Sequence, residues 1–169
     1  MEPLIHDIEV RVVSEEDLWL VRELAFQIFP ITYQDIVEPR QIDYMMDLIY
    51  SREALVAQWD SGQIFLIVYS EEIPVGFASY TRLNEEGDFK LNKIYLDNRL
   101  QGKGLGRWLL NDVITRVKSE EGRALLLNVN RHNKARAFYE KMGFSVLKED
   151  LIDIGSGYFM DDYVMEKRF

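Results

Sequence analysis

Between an apolar run that ends at Leu96 and a helical pattern that opens near Gly104 lies the stretch Gln101-Gly102-Lys103-Gly104-Leu105-Gly106-Arg107. Three glycines in five residues let backbone N–H groups turn toward one point. The helix that follows adds unpaired donors and the positive end of its dipole. Such a bend can hold a pyrophosphate. Two familiar versions do not fit. A dinucleotide fingerprint needs a third glycine where Arg107 stands, and a Walker loop needs Ser or Thr after Gly-Lys, where Gly104 stands. The same glycines would also serve a helix N-terminal turn that binds nothing.

At 169 residues, 47% hydrophobic and 29% charged, the chain has the makeup of one soluble globular domain spanning 1–169. A chain of this length buries roughly two thirds of its unfolded surface and needs no staples. There are no cysteines, which removes disulfides, thiolate metal sites and a cysteine nucleophile together. No cluster has metal-ligand spacing, so no metal is expected. A net charge of -9 argues against a nucleic-acid surface and suits a cationic substrate, although acidity also simply keeps a protein soluble. The acidic start of the chain and the shortness of its apolar runs imply neither a leader nor a membrane partner, so a cytoplasmic location is expected.

In chain order, Ile8 to Val13 alternates as a strand, and Ser14 with Asp17 forms a capping-box signature. Leu18, Val21, Leu24, Ala25 and Ile28 share one helical face, with Pro30 expected to close the helix. Ile42, Met45, Met46 and Ile49 repeat the pattern, and Ser51 opens a short helix carrying Leu55 and Trp59. From Ile64 the period changes: Ile64–Tyr69, Val75–Tyr80 and Phe89–Leu96 form an antiparallel meander. Beyond the glycine bend, Leu110, Val113, Ile114 and Val117 mark a helix. Ala124–Leu127 then reads as a buried strand joined to the third by a parallel crossover. Ala135, Phe138, Tyr139 and Met142 give another helix, ended by Gly143. Phe144–Leu147 and Phe159–Met165 are the last strands, with a turn at Gly155-Ser156-Gly157.

Gln101, Gly104 and Gly106, spaced Q-x-x-G-x-G, resemble the acetyl-CoA signature of the GNAT superfamily of N-acetyltransferases. Asn133 to Phe144 resembles that family's N-x-A-x-x-F-Y-E-K-x-G-F segment, and the order of elements resembles its fold over essentially the whole chain. The resemblance implies an α/β architecture: a twisted mixed sheet of six to seven strands with helices on both faces. It also implies acetyl-CoA as co-substrate, direct attack by an amine and no covalent enzyme intermediate.

Residue by residue, the resemblance puts pantetheine against the backbone of Ile94, Tyr95 and Leu96. It puts the pyrophosphate on the amides of Gln101, Gly102, Lys103, Gly104, Leu105 and Gly106, with Arg107 at the helix start. Asn133, joined by Asn128, would bond the cofactor arm, and Lys141 would meet a phosphate. Many members carry their asparagine seven residues before the tyrosine, where this chain has His132, so which of Asn133 and His132 takes that role stays open. Tyr139 matches the family's general acid, protonating the departing thiolate. A tyrosine with pKa near 10 keeps its proton at neutral pH. Each position also has a plainer reading: strand backbone, solvated arginine or lysine, a helix cap for Asn133, core packing for Tyr139.

A reacting alkylamine must lose a proton, and no local pattern names its base. Tyr33 and Tyr80 are candidates; His6 lies in the terminal segment and His132 in a loop. The segment Gly155 to Lys167 resembles polyamine acetyltransferases of the PaiA kind. The expected partner is thus a small-molecule amine, and aromatic residues of the last strand could pair two subunits. A CoA-binding sensor without turnover, and an unrelated phosphate-binding domain, are the competing readings.

Overall fold

The computed structural model describes residues 7–169; His6 lies outside them. A seven-stranded sheet runs in the order β1-β2-β3-β4-β5-β7-β6, formed by β1 (Ile8–Val12), β2 (Ile64–Ser70), β3 (Ile73–Arg82), β4 (Asp88–Leu96), β5 (Ala124–Asn130), β6 (Ser145–Gly155) and β7 (Tyr158–Arg168). Only β4 and β5 are parallel, as the intervening helix required. The helices are α1 (Leu18–Tyr33), α2 (Pro39–Tyr50), α3 (Arg52–Asp60), α4 (Leu105–Ser119) and α5 (Ala135–Lys141).

The continuous apolar run of β2 follows from burial on both faces. Phe65 and Ile67 pack with α1, α2 and α3, while Leu66 and Val68 join the layer under α4. Each such side chain withdrawn from water contributes about 1.5–3 kcal/mol before the entropy of ordering it is counted. On the α1–α3 face the buried Lys93 lies among apolar rings, 5.4 Å from the Phe65 centroid. Its ammonium donates to Gln58 Oε1 at 2.6 Å and to Gln63 Oε1 at 3.1 Å.

Three local readings change. Pro30 does not close α1, which continues to Tyr33. Proline removes one donor, but here it falls in the last turn, where the Thr32 hydroxyl bonds Ile28 O at 3.1 Å and the Tyr33 ring packs on Phe29 with centroids 4.5 Å apart. Ser14 does not cap a helix through its side chain. Its hydroxyl donates to Asp17 at 3.2 Å above a 3-10 turn at Glu15–Asp17. The strand expected to end at Leu147 runs to Gly155, pairing with β7 in a long hairpin. Exposed Leu147, Lys148 and Glu149 hid it, because an edge strand open to water shows no clean alternation.

Candidate active site

The site begins where the sheet fails to stay closed. β4 and β5 pair only from Asp88↔Ala124 to Leu91↔Leu127, and beyond that point each strand is held only on its outer side. The cause is a bulge at Asn92: Tyr80 faces Leu91 and Ser79 faces Lys93, leaving Asn92 unmatched. Its side-chain amide donates to Thr81 Oγ1 at 2.6 Å, which fixes the bulge. A bulge increases the local twist, and here it turns β4 away from its parallel neighbour. At the far end of β4, Gly76 lets the strands approach closely, since a Cβ there would lie 2.6 Å from Tyr95 O.

The opening holds a cavity of about 160 Å³ lined by Tyr33, Asn92 to Leu96, Leu127 to Val129, Asn133 and Tyr139. It continues into a groove of about 650 Å³ between α4 and α5, bounded by Leu96, Gln101, Gly102, Gly104, Gly106, Arg107, Phe138 and Lys141. Ile94, Leu96, Gln101, Asn133, Ala135 and Tyr139 border both, so the two form one passage. Its combined size suits an extended organic ligand.

The glycine bend ends this passage. Gly102 and Gly104 take φ of +77° and +83°, the left-handed region that glycine enters without strain. Among the described residues, the first α4 amide to reach a backbone carbonyl is that of Trp108, bonded to Gly104 O at 3.0 Å. The N–H groups of Leu105, Gly106 and Arg107 therefore stand at the helix start with no main-chain partner. A Cβ on Gly106 would touch only Leu96 and Phe138, at 3.6 and 3.7 Å. The protein's own packing does not require glycine there, and what the missing side chain leaves clear is the groove. Backbone donors, a positive helix end and exposed Arg107 and Lys141 together match a phosphate-bearing ligand.

Tyr139 is held from three sides. Its ring meets Phe138 and stands edge-on to Phe144, and its carbonyl accepts the Phe144 N–H at 3.0 Å as α5 ends on Gly143, φ +93°. Burial pushes its hydroxyl well above the ordinary tyrosine range, with a further contribution from Tyr33. The group thus keeps its proton throughout the neutral range. Asn133 caps α5, its Oδ1 accepting the Ala135 N–H at 2.9 Å while its side chain borders the passage. His132 is exposed. Ile94, Tyr95 and Leu96 offer backbone along the opened edge of β4. The Tyr95 side chain points the other way, into the layer of Phe29 and Phe77, with its hydroxyl 3.5 Å from that of Tyr33.

The two tyrosines named as candidate bases part company. Tyr33 lines the cavity, whereas Tyr80 stacks on Phe89 in the layer under α4. Asn128 borders the cavity too, and its amide donates to Asp162 Oδ2 at 3.3 Å. Asp162 was not singled out from sequence. It sits among alternating residues of β7 with no local motif around it, so only the folded sheet discloses it. Among the described residues, no group of His, Asp or Glu stands close enough to hold a metal ion, and no helix is long and apolar enough to cross a membrane.

Comparison with known proteins agrees with this architecture. Residues 34–159 match the acetyltransferase (GNAT) domain family. The chain is 28% identical to spermidine N(1)-acetyltransferase of Thermoplasma acidophilum over 168 residues, covering 96% of this chain and 98% of that protein. It is 30% identical to 5-NmdU N-acetyltransferase of Pseudomonas phage PaMx11 over 120 residues, 70% of this chain and 81% of the phage protein. Among solved structures, PaiA N-acetyltransferase from T. acidophilum in complex with coenzyme A superposes with a TM-score of 0.79 at 26% identity, covering 96% of this chain and 99% of that one.

Proposed function

The chain belongs to the acetyltransferase (GNAT) domain family and is an enzyme of acetyl transfer, and from that premise we propose that it acetylates a primary amine of a small polycation, spermidine or a close analogue. The observation that carries this reading is the passage between the parted β4 and β5, which runs from a phosphate-type bend past the buried Tyr139 to the cavity at Tyr33 and Asn128. Support for a polyamine comes from the likeness to the Thermoplasma spermidine enzyme and from the net charge of -9.

Acetyl-CoA supplies an activated acyl group and a thiol leaving group. The amides of Gly102 to Arg107 bind its diphosphate by direct N–H donation, and the open edge of β4 at Ile94 to Leu96 aligns an extended amide chain as a neighbouring strand would. A main-chain N–H on that edge is placed to donate to an oxygen that gains negative charge. Tyr139 holds the proton needed at the leaving sulfur, with its ring fixed by Phe138 and Phe144. The acceptor enters from the α1–α3 face, past Tyr33 and Asn128.

The test is release of free thiol from acetyl-CoA in the presence of spermidine, putrescine, an aminoglycoside or an N-terminal peptide. Turnover with spermidine at least tenfold faster than with the others is expected. Fastest turnover with a non-polyamine would overturn the substrate, and CoA binding with no thiol release from any amine would overturn the turnover.

A further inference from the structure

Asp162 is buried, with 6% of its surface exposed, and its Oδ1 is the buried side-chain oxygen that has no hydrogen-bond partner among the described residues. Its cross-strand neighbours do not pair with it. Across the β5–β7 ladder Asn130 stands opposite, and its Oδ1 accepts the His132 N–H at 2.9 Å. Across the β6–β7 ladder the opposite residue is Asp150, another carboxylate. Asn128 reaches only the second oxygen, Oδ2, at 3.3 Å. No lysine or arginine among the described residues forms an ion pair with Asp162, in contrast to Asp161 beside it, which pairs with Arg131 at 3.1 Å.

Like charges facing each other across a ladder repel, and a carboxylate withdrawn from water without a partner is costly. Burial raises its pKa, with Asp150 and Asp161 adding to the effect and the hydrogen bond from Asn128 and the charge of Lys90 working against it. A chain that keeps such an arrangement pays in stability for something other than stability. Its position indicates what. Asp162 shares a sheet face with Asn128, which borders the cavity and donates to its Oδ2 at 3.3 Å, so Asp162 stands directly behind that stretch of the wall. It therefore lies on the acceptor side of the opening, away from the groove between α4 and α5.

Resting on the reading of this chain as a polyamine acetyltransferase, we infer that Asp162, oriented by Asn128 and reinforced by Asp150 across the ladder, binds an ammonium group of the acceptor that is not the one acetylated. The geometry needs a second cationic nitrogen on the substrate: Oδ1 accepts its N–H, and Oδ2 stays with Asn128.

The experiment is calorimetric titration of spermidine, with n-butylamine as the singly charged control, into the CoA-saturated protein and its variants. Asp162→Asn keeps the shape and removes the charge. Its spermidine affinity is expected to fall at least tenfold, n-butylamine binding to stay as weak as in the parent, and the CoA-induced rise in melting temperature to persist. The variant should itself melt higher by roughly 2 °C or more, because a buried charge without an ion-pair partner is gone. A residue with a merely structural role would melt lower. Asp150→Asn, at the more open side of the same rung, should lose about threefold in spermidine affinity. Unchanged spermidine affinity in both variants, or spermidine binding to the parent no tighter than n-butylamine, overturns the inference. Failure of thiol release overturns the enzymatic reading instead, and the two results are read independently.

Discussion

The two walls of the opening are built from different kinds of group. The groove wall, from Ile94 to Arg107 and across to α5, works through main-chain groups, glycine and a helix start. The acceptor wall is made of side chains gathered from distant parts of the chain: Tyr33 from α1, Asn92 from β4 and Asn128 from β5 line the cavity, with Asp162 of β7 bonded behind Asn128. Backbone recognition demands particular residues at fixed spacing, because only glycine permits the required φ and close approach. Side-chain recognition demands only that the sheet bring the right groups to one place.

Variants can break or sharpen this contrast, and the largest effect belongs to the residue where the walls meet. Tyr139→Phe removes a proton donor and leaves the ring packing, so kcat should fall about 100-fold or more while the KM for acetyl-CoA stays nearly constant. Steady-state thiol release checks this, and a collapse of cofactor affinity with kcat preserved would move Tyr139 from chemistry to binding. Next comes the shape of the opening. Gly76→Ala would place a Cβ 2.5 Å from Leu96 Cδ2 and 2.6 Å from Tyr95 O, forcing the free end of β4 to shift. A loss of about 1–3 kcal/mol in stability is expected by denaturant titration. Gly104→Ala meets open space but must hold φ near +83°. The strain of about 1 kcal/mol should appear as a several-fold higher KM for acetyl-CoA with the KM for the amine unchanged. Equal rises in both would mean that the walls are not independent.

The smallest effect at neutral pH concerns Lys93, a buried residue that borders the cavity. Burial, with Lys90 adding to it, lowers its pKa to about 7. The unfolded chain still binds that proton up to about pH 10.4, so between pH 7 and 10 the unfolded state holds more protons. Folding stability should rise with pH across that window and be lost as pH falls toward 7. Lys93→Met should flatten the slope, as followed by thermal melts at several pH values; an unchanged slope would assign it to other groups.

What the sequence disclosed divides along the same line. The continuous apolar run of β2, the crossover through α4, the Gly143 helix end and the glycine bend were legible because each is written in local residue types. Pro30 misled because its effect depends on where in the helix it falls and on Tyr33 packing beneath it. β6 reads too short because Leu147, Lys148 and Glu149 are exposed in succession on an edge strand, which breaks the apolar–polar alternation. Asp162 and the bulge at Asn92 left no trace, since the bulge exists only in the register of β3 on β4 and Asp162 acquires its neighbours only when β7 lies between β5 and β6.

The most direct measurement is a titration of isotope-labelled protein with CoA, followed by amide resonances. The amides of Ile94 to Leu96 and Gly102 to Arg107 should shift and become protected, while those of Asn128 and Asp162 respond only when spermidine is added. Saturation with CoA that leaves the Gly104, Gly106 and Arg107 amides unmoved would contradict the account.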